Sequence, residues 1–257
     1  MPVYKFHTKD KRMKNFAIAI ALVATTSLMA SADGASKWGY GGVEGPEYWG
    51  HLSDKYIMCK EGKHQSPIDI TDHTEADMET LQFDYKALAK DFINNGHTVQ
   101  VNIDQGSNLV VDNKKFELKQ FHFHTPSENH VDGKSHPMEM HLVHASADGS
   151  LAVVAVMFSE GGSNPFIKTL TSNIPKKAKD HIDLKELKLN VYDFLPVNRD
   201  YYRFAGSLTT PPCSEGVRWL VLKTAVEASK EELATFRAIM GENNRPLQPI
   251  HAREVLK

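Results

Sequence analysis

The sequence of 257 residues has two cysteines, Cys59 and Cys213, so a buried core has to hold the fold with at most one bridge. Nowhere is there an unbroken apolar run of the ~20 residues that a membrane-crossing helix needs. The nearest approach is the stretch 16–24, which Thr25-Thr-Ser27 ends early. No internal repeat or low-complexity linker divides the chain, and no cluster of basic residues marks it for nucleic acid or an anionic membrane surface. At 41% hydrophobic and 24% charged residues, the composition suits a single domain with one good core.

The short apolar run has a context. Lys11-Arg-Met-Lys14 precedes it and Ala30-Ser-Ala32 follows, which together read as the basic region, apolar region and cleavage site of a secretory signal peptide over 1–32. A membrane anchor is the competing reading. Cleavage after Ala32 leaves a mature domain over 33–257 with no membrane anchor, in the periplasm or outside the cell. Translation starts at Met1 or Met13. Processing also removes five basic residues against Asp10, so the mature domain is more acidic than the formal net charge of −2 of the whole sequence. In an oxidising compartment Cys59 and Cys213 are expected to pair, two buried thiols being the alternative.

The most informative stretch is Gln120-Phe-His-Phe-His124. In an extended strand, residues i and i+2 share a face, so His122 and His124 aim at one point. Met138-Glu-Met-His-Leu-Val-His144 alternates again, with Glu139, His141 and Val143 on one face and His144 on the other. Any single histidine among the thirteen in the chain is ordinarily solvated or locally hydrogen-bonded. Three imidazoles set among apolar strand residues are better explained by a metal. Three neutral histidines with one open position make a catalytic zinc site, whereas a structural site would add a fourth protein ligand.

Around these strands the chain reads as mainly β. Residues 38–49 are rich in glycine and aromatics and predict an irregular arm. The turn Asn94-Asn-Gly-His97 leads into alternating residues 98–103, and Asp104-Gln-Gly-Ser107 leads into Leu109-Val-Val111, a hairpin pattern. Leu151-Ala-Val-Val-Ala-Val-Met-Phe158 predicts a central strand. Helices are few. One opens near Asn164-Pro165, and a clearer one follows the Ser229/Glu232 capping box and stops at Gly241.

Taken with Ser127-Glu-Asn129, Gly206-Ser-Leu-Thr-Thr-Pro-Pro212 and Asn243-Asn-Arg-Pro-Leu-Gln-Pro249, the two histidine strands resemble the α-class carbonic anhydrases of the exported bacterial type. The resemblance implies a single domain around a large, mostly antiparallel, twisted β-sheet with short peripheral helices and a conical cleft ending at Zn2+. It implies reversible hydration of carbon dioxide to bicarbonate and a proton, by attack of zinc-bound hydroxide. Carried over residue by residue, it makes His122, His124 and His141 the metal ligands, with Gln120 and Glu139 behind them. It makes Thr209 the gatekeeper paired with Glu128, Thr210 a bicarbonate contact and His97 the proton shuttle. Val143, Val153, Leu208, Val217 and Trp219 become the apolar wall for carbon dioxide. It also supports a Cys59–Cys213 bridge and carries the expectation of a homodimer. Two other functions compete, a zinc-dependent esterase-type hydrolase and a non-catalytic binding module on the same fold.

Overall fold

Phe116 and Leu118 face one side of a strand, and so do Phe121 and Phe123, although simple alternation would put the two pairs on opposite sides. A computed structural model, which describes residues 37–257, shows why: the pairing register shifts between Leu118 and Gln120. The extra residue, exposed Lys119, resets the parity. Everything before the bulge faces the core with its even-numbered residues. After it, the phenylalanines take the core and His122 and His124 are delivered to the other face. The signal-peptide reading over 1–32 falls outside the described residues.

The main sheet has eleven strands. In chain order they are β1 (Gln82–Asp84), β2 (Ala89–Asn94), β3 (Val99–Ile103), β4 (Asn108–Val111), β5 (Lys114–His124), β6 (Met138–Ala145), β7 (Leu151–Glu160), β8 (His181–Asp183), β9 (Tyr201–Ser207), β10 (Glu215–Leu222) and β11 (Val226–Ala228). Across the sheet the order is β8-β2-β3-β5-β6-β7-β10-β9. Neighbours are antiparallel except where β7 meets β10 and β11, which run parallel to it. That makes β7 a central strand with almost every residue buried, as its valine-rich run predicts.

The turn Asn94-Asn-Gly-His97 joins β2 and β3 as a hairpin. The hairpin expected between residues 98–103 and 109–111 does not form. β4 pairs with β1 and with residues 114–117 of β5, whereas β3 pairs with residues 120–122 of the same strand. β5 is long enough, at eleven residues, to hold both partners along one edge on either side of its bulge, so the Asp104-Gln-Gly-Ser107 turn carries the chain along β5 instead of closing a ladder.

One face of the sheet packs against two helices, α1 (Pro165–Ser172) and α2 (Lys230–Met240). Asn164 caps α1 through its side chain, and the Ser229/Glu232 capping box opens α2. Phe123 meets Phe236 of α2 at 4.5 Å between ring centres. The opposite face carries a second apolar group, including Val153, Ala155, Val217, Trp219 and Phe204. The N-terminal arm is held by its aromatics: Trp49 is fully buried, with Trp38 at 5.2 Å and Tyr40 at 5.7 Å.

Candidate active site

On the second face, His122 and His141 stand directly opposite each other on β5 and β6, and His124 lies two residues further along β5. One nitrogen of each can converge with the others, all three within 4.8 Å of one another. Of the remaining nitrogens, two are hydrogen-bonded and the third faces a carboxylate. His122 Nδ1–H donates to Gln120 Oε1 at 2.9 Å and His124 Nδ1–H to the Asn243 carbonyl at 2.8 Å, while His141 Nε2 faces Glu139 Oε1 at 2.9 Å without meeting hydrogen-bond geometry. This leaves Nε2 of His122, Nε2 of His124 and Nδ1 of His141 toward the centre. Burial pulls His122 and His141 well below the ordinary imidazole range; His124 and His141 lower His122 further, and His124 does the same to His141. Burial lowers His124 too, against the Asn243 hydrogen bond. Three neutral imidazoles facing one point are a donor set for zinc.

An orphaned atom supports that fit. His124 Nε2 is buried and has no hydrogen-bond partner, a condition that costs about 1–3 kcal/mol unless something else binds it. A cation at the centre removes the penalty.

Glu139 anchors the surroundings as well as facing His141. Its carboxylate accepts from the backbone N–H groups of Glu128 and Asn129 at 2.7 and 2.8 Å and from the Asn129 side chain at 2.8 Å. Glu128 is thereby held with Oε1 accepting from the Arg245 N–H at 2.8 Å and Oε2 at 3.5 Å from His124 Nε2. Burial pushes the Glu128 carboxyl up to about 8, and the Thr209 hydroxyl leads the groups that pull it down, without a formed hydrogen bond at Oε2. A dication at the centre would favour the ionised form further.

Thr209 and half-buried Thr210 sit on the loop between β9 and β10, held at several points. The Leu208 N–H donates to the Ser214 carbonyl at 2.9 Å, the Cys213 N–H to the Thr210 carbonyl at 2.8 Å, and the Trp219 indole to the Ser207 carbonyl at 3.0 Å. Cys213 is disulfide-bonded to Cys59. Beside the loop, Val143, Val153 and Trp219 form a row across β6, β7 and β10 in direct register, and Val217 and Leu208 join the same apolar group.

His97 is on the β2–β3 turn, where Gly96 adopts φ +89°, a conformation that favours glycine. Its ring is half-buried and stacks on Trp38 at 3.7 Å with planes 6° apart, and burial lowers its pKa. The structure thus brings His122, His124 and His141 together with Gln120, Glu128 and Glu139, and puts Val143, Val153, Leu208, Val217 and Trp219 in one apolar group. The site also contains three residues that sequence reasoning gave no part: Asn243, Arg245 and Trp38. Asn243 orients His124 through a backbone carbonyl, and every residue type has one, so side-chain patterning could not have found it. Its amide further donates to the His97 and Phe123 carbonyls.

Comparison with known proteins follows the same lines. Residues 44–257 match the family model described as eukaryotic-type carbonic anhydrase. A carbonic anhydrase of Pectobacterium carotovorum is 45% identical over 93% of this chain and 98% of its own. Among solved structures, a hyperthermostable carbonic anhydrase from an active hydrothermal vent chimney shares 50% identity with a TM-score of 0.83, over 86% of this chain and 99% of its own. The α-carbonic anhydrase of Thermovibrio ammonificans in complex with sulfanilamide gives 48% and 0.85, over 87% and 100%.

Proposed function

As a member of the eukaryotic-type, or α-class, carbonic anhydrase family, the protein catalyses reversible hydration of carbon dioxide, and we propose that the three-histidine centre, loaded with zinc, is where it does so. When bound there, zinc supplies Lewis acidity that brings a coordinated water to a pKa of about 7, a figure general to carbonic anhydrases and not read from this geometry. His122, His124 and His141 would hold the ion as neutral donors, which preserves that acidity, and Gln120, Asn243 and Glu139 aim the three rings.

Thr209 orients the nucleophile. With Glu128 ionised, the Thr209 hydroxyl donates to it, so the hydroxyl oxygen is left to accept from an O–H at the triad and fixes which lone pair faces the substrate. Carbon dioxide, being apolar, rests against Val143, Val153, Leu208, Val217 and Trp219, and Thr210 meets bicarbonate as it forms. His97 takes the released proton and passes it to buffer. We assign the protein to an exported, periplasmic or secreted location, supported by the signal-like 1–32 and the disulfide, and expect a homodimer.

The buried, unpartnered nitrogen at the convergence of three histidines carries this reading. Acidification under carbon dioxide, followed with and without a zinc chelator, tests it. Rapid acidification that the chelator abolishes and zinc restores is expected; rates unaffected by chelation would remove the metal from the mechanism.

A further inference from the structure

A row of polar side chains leaves the site across the sheet. Gln100 on β3 is directly opposite His122, and Asn102, also on β3, is opposite Gln120 on one side and Asp91 of β2 on the other. Residues facing each other on antiparallel strands project to the same side, so all three share the face that carries the metal ligands. The burial pattern agrees, since Val99, Val101 and Ile103 occupy the core side. Along the row, Gln100 Nε2 donates to Asn102 Oδ1 at 2.8 Å and Asn102 Nδ2 donates to Asp91 Oδ1 at 2.6 Å. The other Asp91 oxygen lies 3.7 Å from His181 Nε2 on β8.

The direction of this chain follows from donor chemistry alone. An ionised carboxylate only accepts, so Asn102 must turn its NH2 toward Asp91 and is left with a carbonyl to accept. Gln100 must then turn its own NH2 toward Asn102, which leaves its carbonyl oxygen facing the site. Flipping either amide would set acceptor against acceptor or donor against donor in a largely buried row.

We propose that Asp91 is a positioning residue for proton transfer: acting through Asn102, it locks the Gln100 amide so that only an acceptor faces the cleft between His122 and His97. The proposal rests on the carbon dioxide reading above. Gln100 is three residues along the chain from His97, on the strand that the His97 turn opens, and in register with His122, so one strand links the turn to the triad. Water beside a fixed carbonyl must donate to it, which leaves that water's lone pairs free to receive a proton leaving the triad for His97. A freely flipping amide would offer NH2 part of the time and break that order. The hydrogen bonds of Asp91 and Asn102 run along the row and not to a nitrogen of the triad, so their influence is expected on proton release.

Stopped-flow hydration in weak buffer, on zinc-loaded Asp91→Asn, Gln100→Leu and the double variant, provides the test. Asp91→Asn should lose kcat several-fold with kcat/KM unchanged, recover with added imidazole, and cost nothing further in the Gln100→Leu background. Additive losses, or kcat and kcat/KM falling together, would mean that Asp91 supports the sheet and not the amide, and would overturn the proposal. Should Asp91→Asn fail to fold, Asn102→Leu cuts the same row and should reproduce the kcat loss; unchanged kcat there also overturns it. A readout apart from turnover is the side-chain amide 15N–1H signals of Gln100 and Asn102 in the zinc-loaded protein. Asp91→Asn should shift both pairs, and an unmoved Gln100 pair counts against the relay. A wild-type protein that did not hydrate carbon dioxide would sink the function reading, while these signals would still decide the amide's orientation.

Discussion

His141 and His144 are three residues apart on β6 and show what separates a ligand from a structural histidine. His144 faces the helix side of the sheet, fully buried, with Nδ1 to the Ala152 carbonyl at 3.2 Å and Nε2 to the Tyr85 hydroxyl at 2.5 Å. Both of its nitrogens are satisfied internally, whereas each ligand histidine keeps one turned to the centre. Burial brings His144 down to about 4. The unfolded chain binds this proton near pH 6.5 and the folded chain only near 4, so His144 adds stability that is complete above about 6.5 and lost as pH falls through that window. The loss amounts to roughly 3 kcal/mol at most. In urea titrations from pH 7 to 4, a His144→Asn variant should therefore show a shallower acid limb than the parent, whatever it costs at neutral pH. For His97→Ala the expected outcome is kinetic: kcat falls in weak buffer, kcat/KM holds, and imidazole restores turnover. Absence of rescue would give the proton to another group.

Among the elements, strands were legible where alternation ran locally and illegible where it broke. Residues 120–124 and 138–144 place all three imidazoles and Glu139 correctly because each window lies on one side of the bulge. Extending the parity back to Phe116 would have pointed the histidines into the core, since the shift at Lys119 leaves no mark in residue type. The capping box of α2 was readable because its chemistry is local. The partnering of β4 was not, because the length of β5 decides it, and the Asn243 and Arg245 contacts join segments more than a hundred residues apart. The gatekeeper loop is a third case. The Cys59–Cys213 bond spans a separation of 154 residues and fastens the end of that loop to the N-terminal segment, where Arg245 also donates to the Cys59 carbonyl at 2.9 Å. Loop-closure entropy sets an upper figure of about 5 kcal/mol for its stabilisation. The Cys59→Ser/Cys213→Ser pair should melt lower and lose activity at temperatures where zinc is still bound, as parallel assays of turnover and metal content would show. Metal and activity lost together would separate the bond from the loop.

For the whole molecule, the sheet divides the labour. One face is a continuous apolar core against α1 and α2, and the other carries the three histidines, the second apolar group and the polar row. Among the described residues no helix is long and apolar enough to cross a membrane. The exported protein should begin at Asp33, which N-terminal sequencing of secreted or periplasmic material checks; an intact Met1 or Met13 there would overturn the assigned location.

Asn243 ties two distant parts of these arrangements together. The carbonyl that orients His124 lies 119 residues further along the sequence. The amide of the same residue holds the His97 carbonyl, so one segment steadies both the triad and the turn that carries His97. The three-histidine centre is therefore not a property of β5 and β6 alone: displacing the segment around Asn243 would leave the His124 ring without its orienting partner while the strands stayed intact.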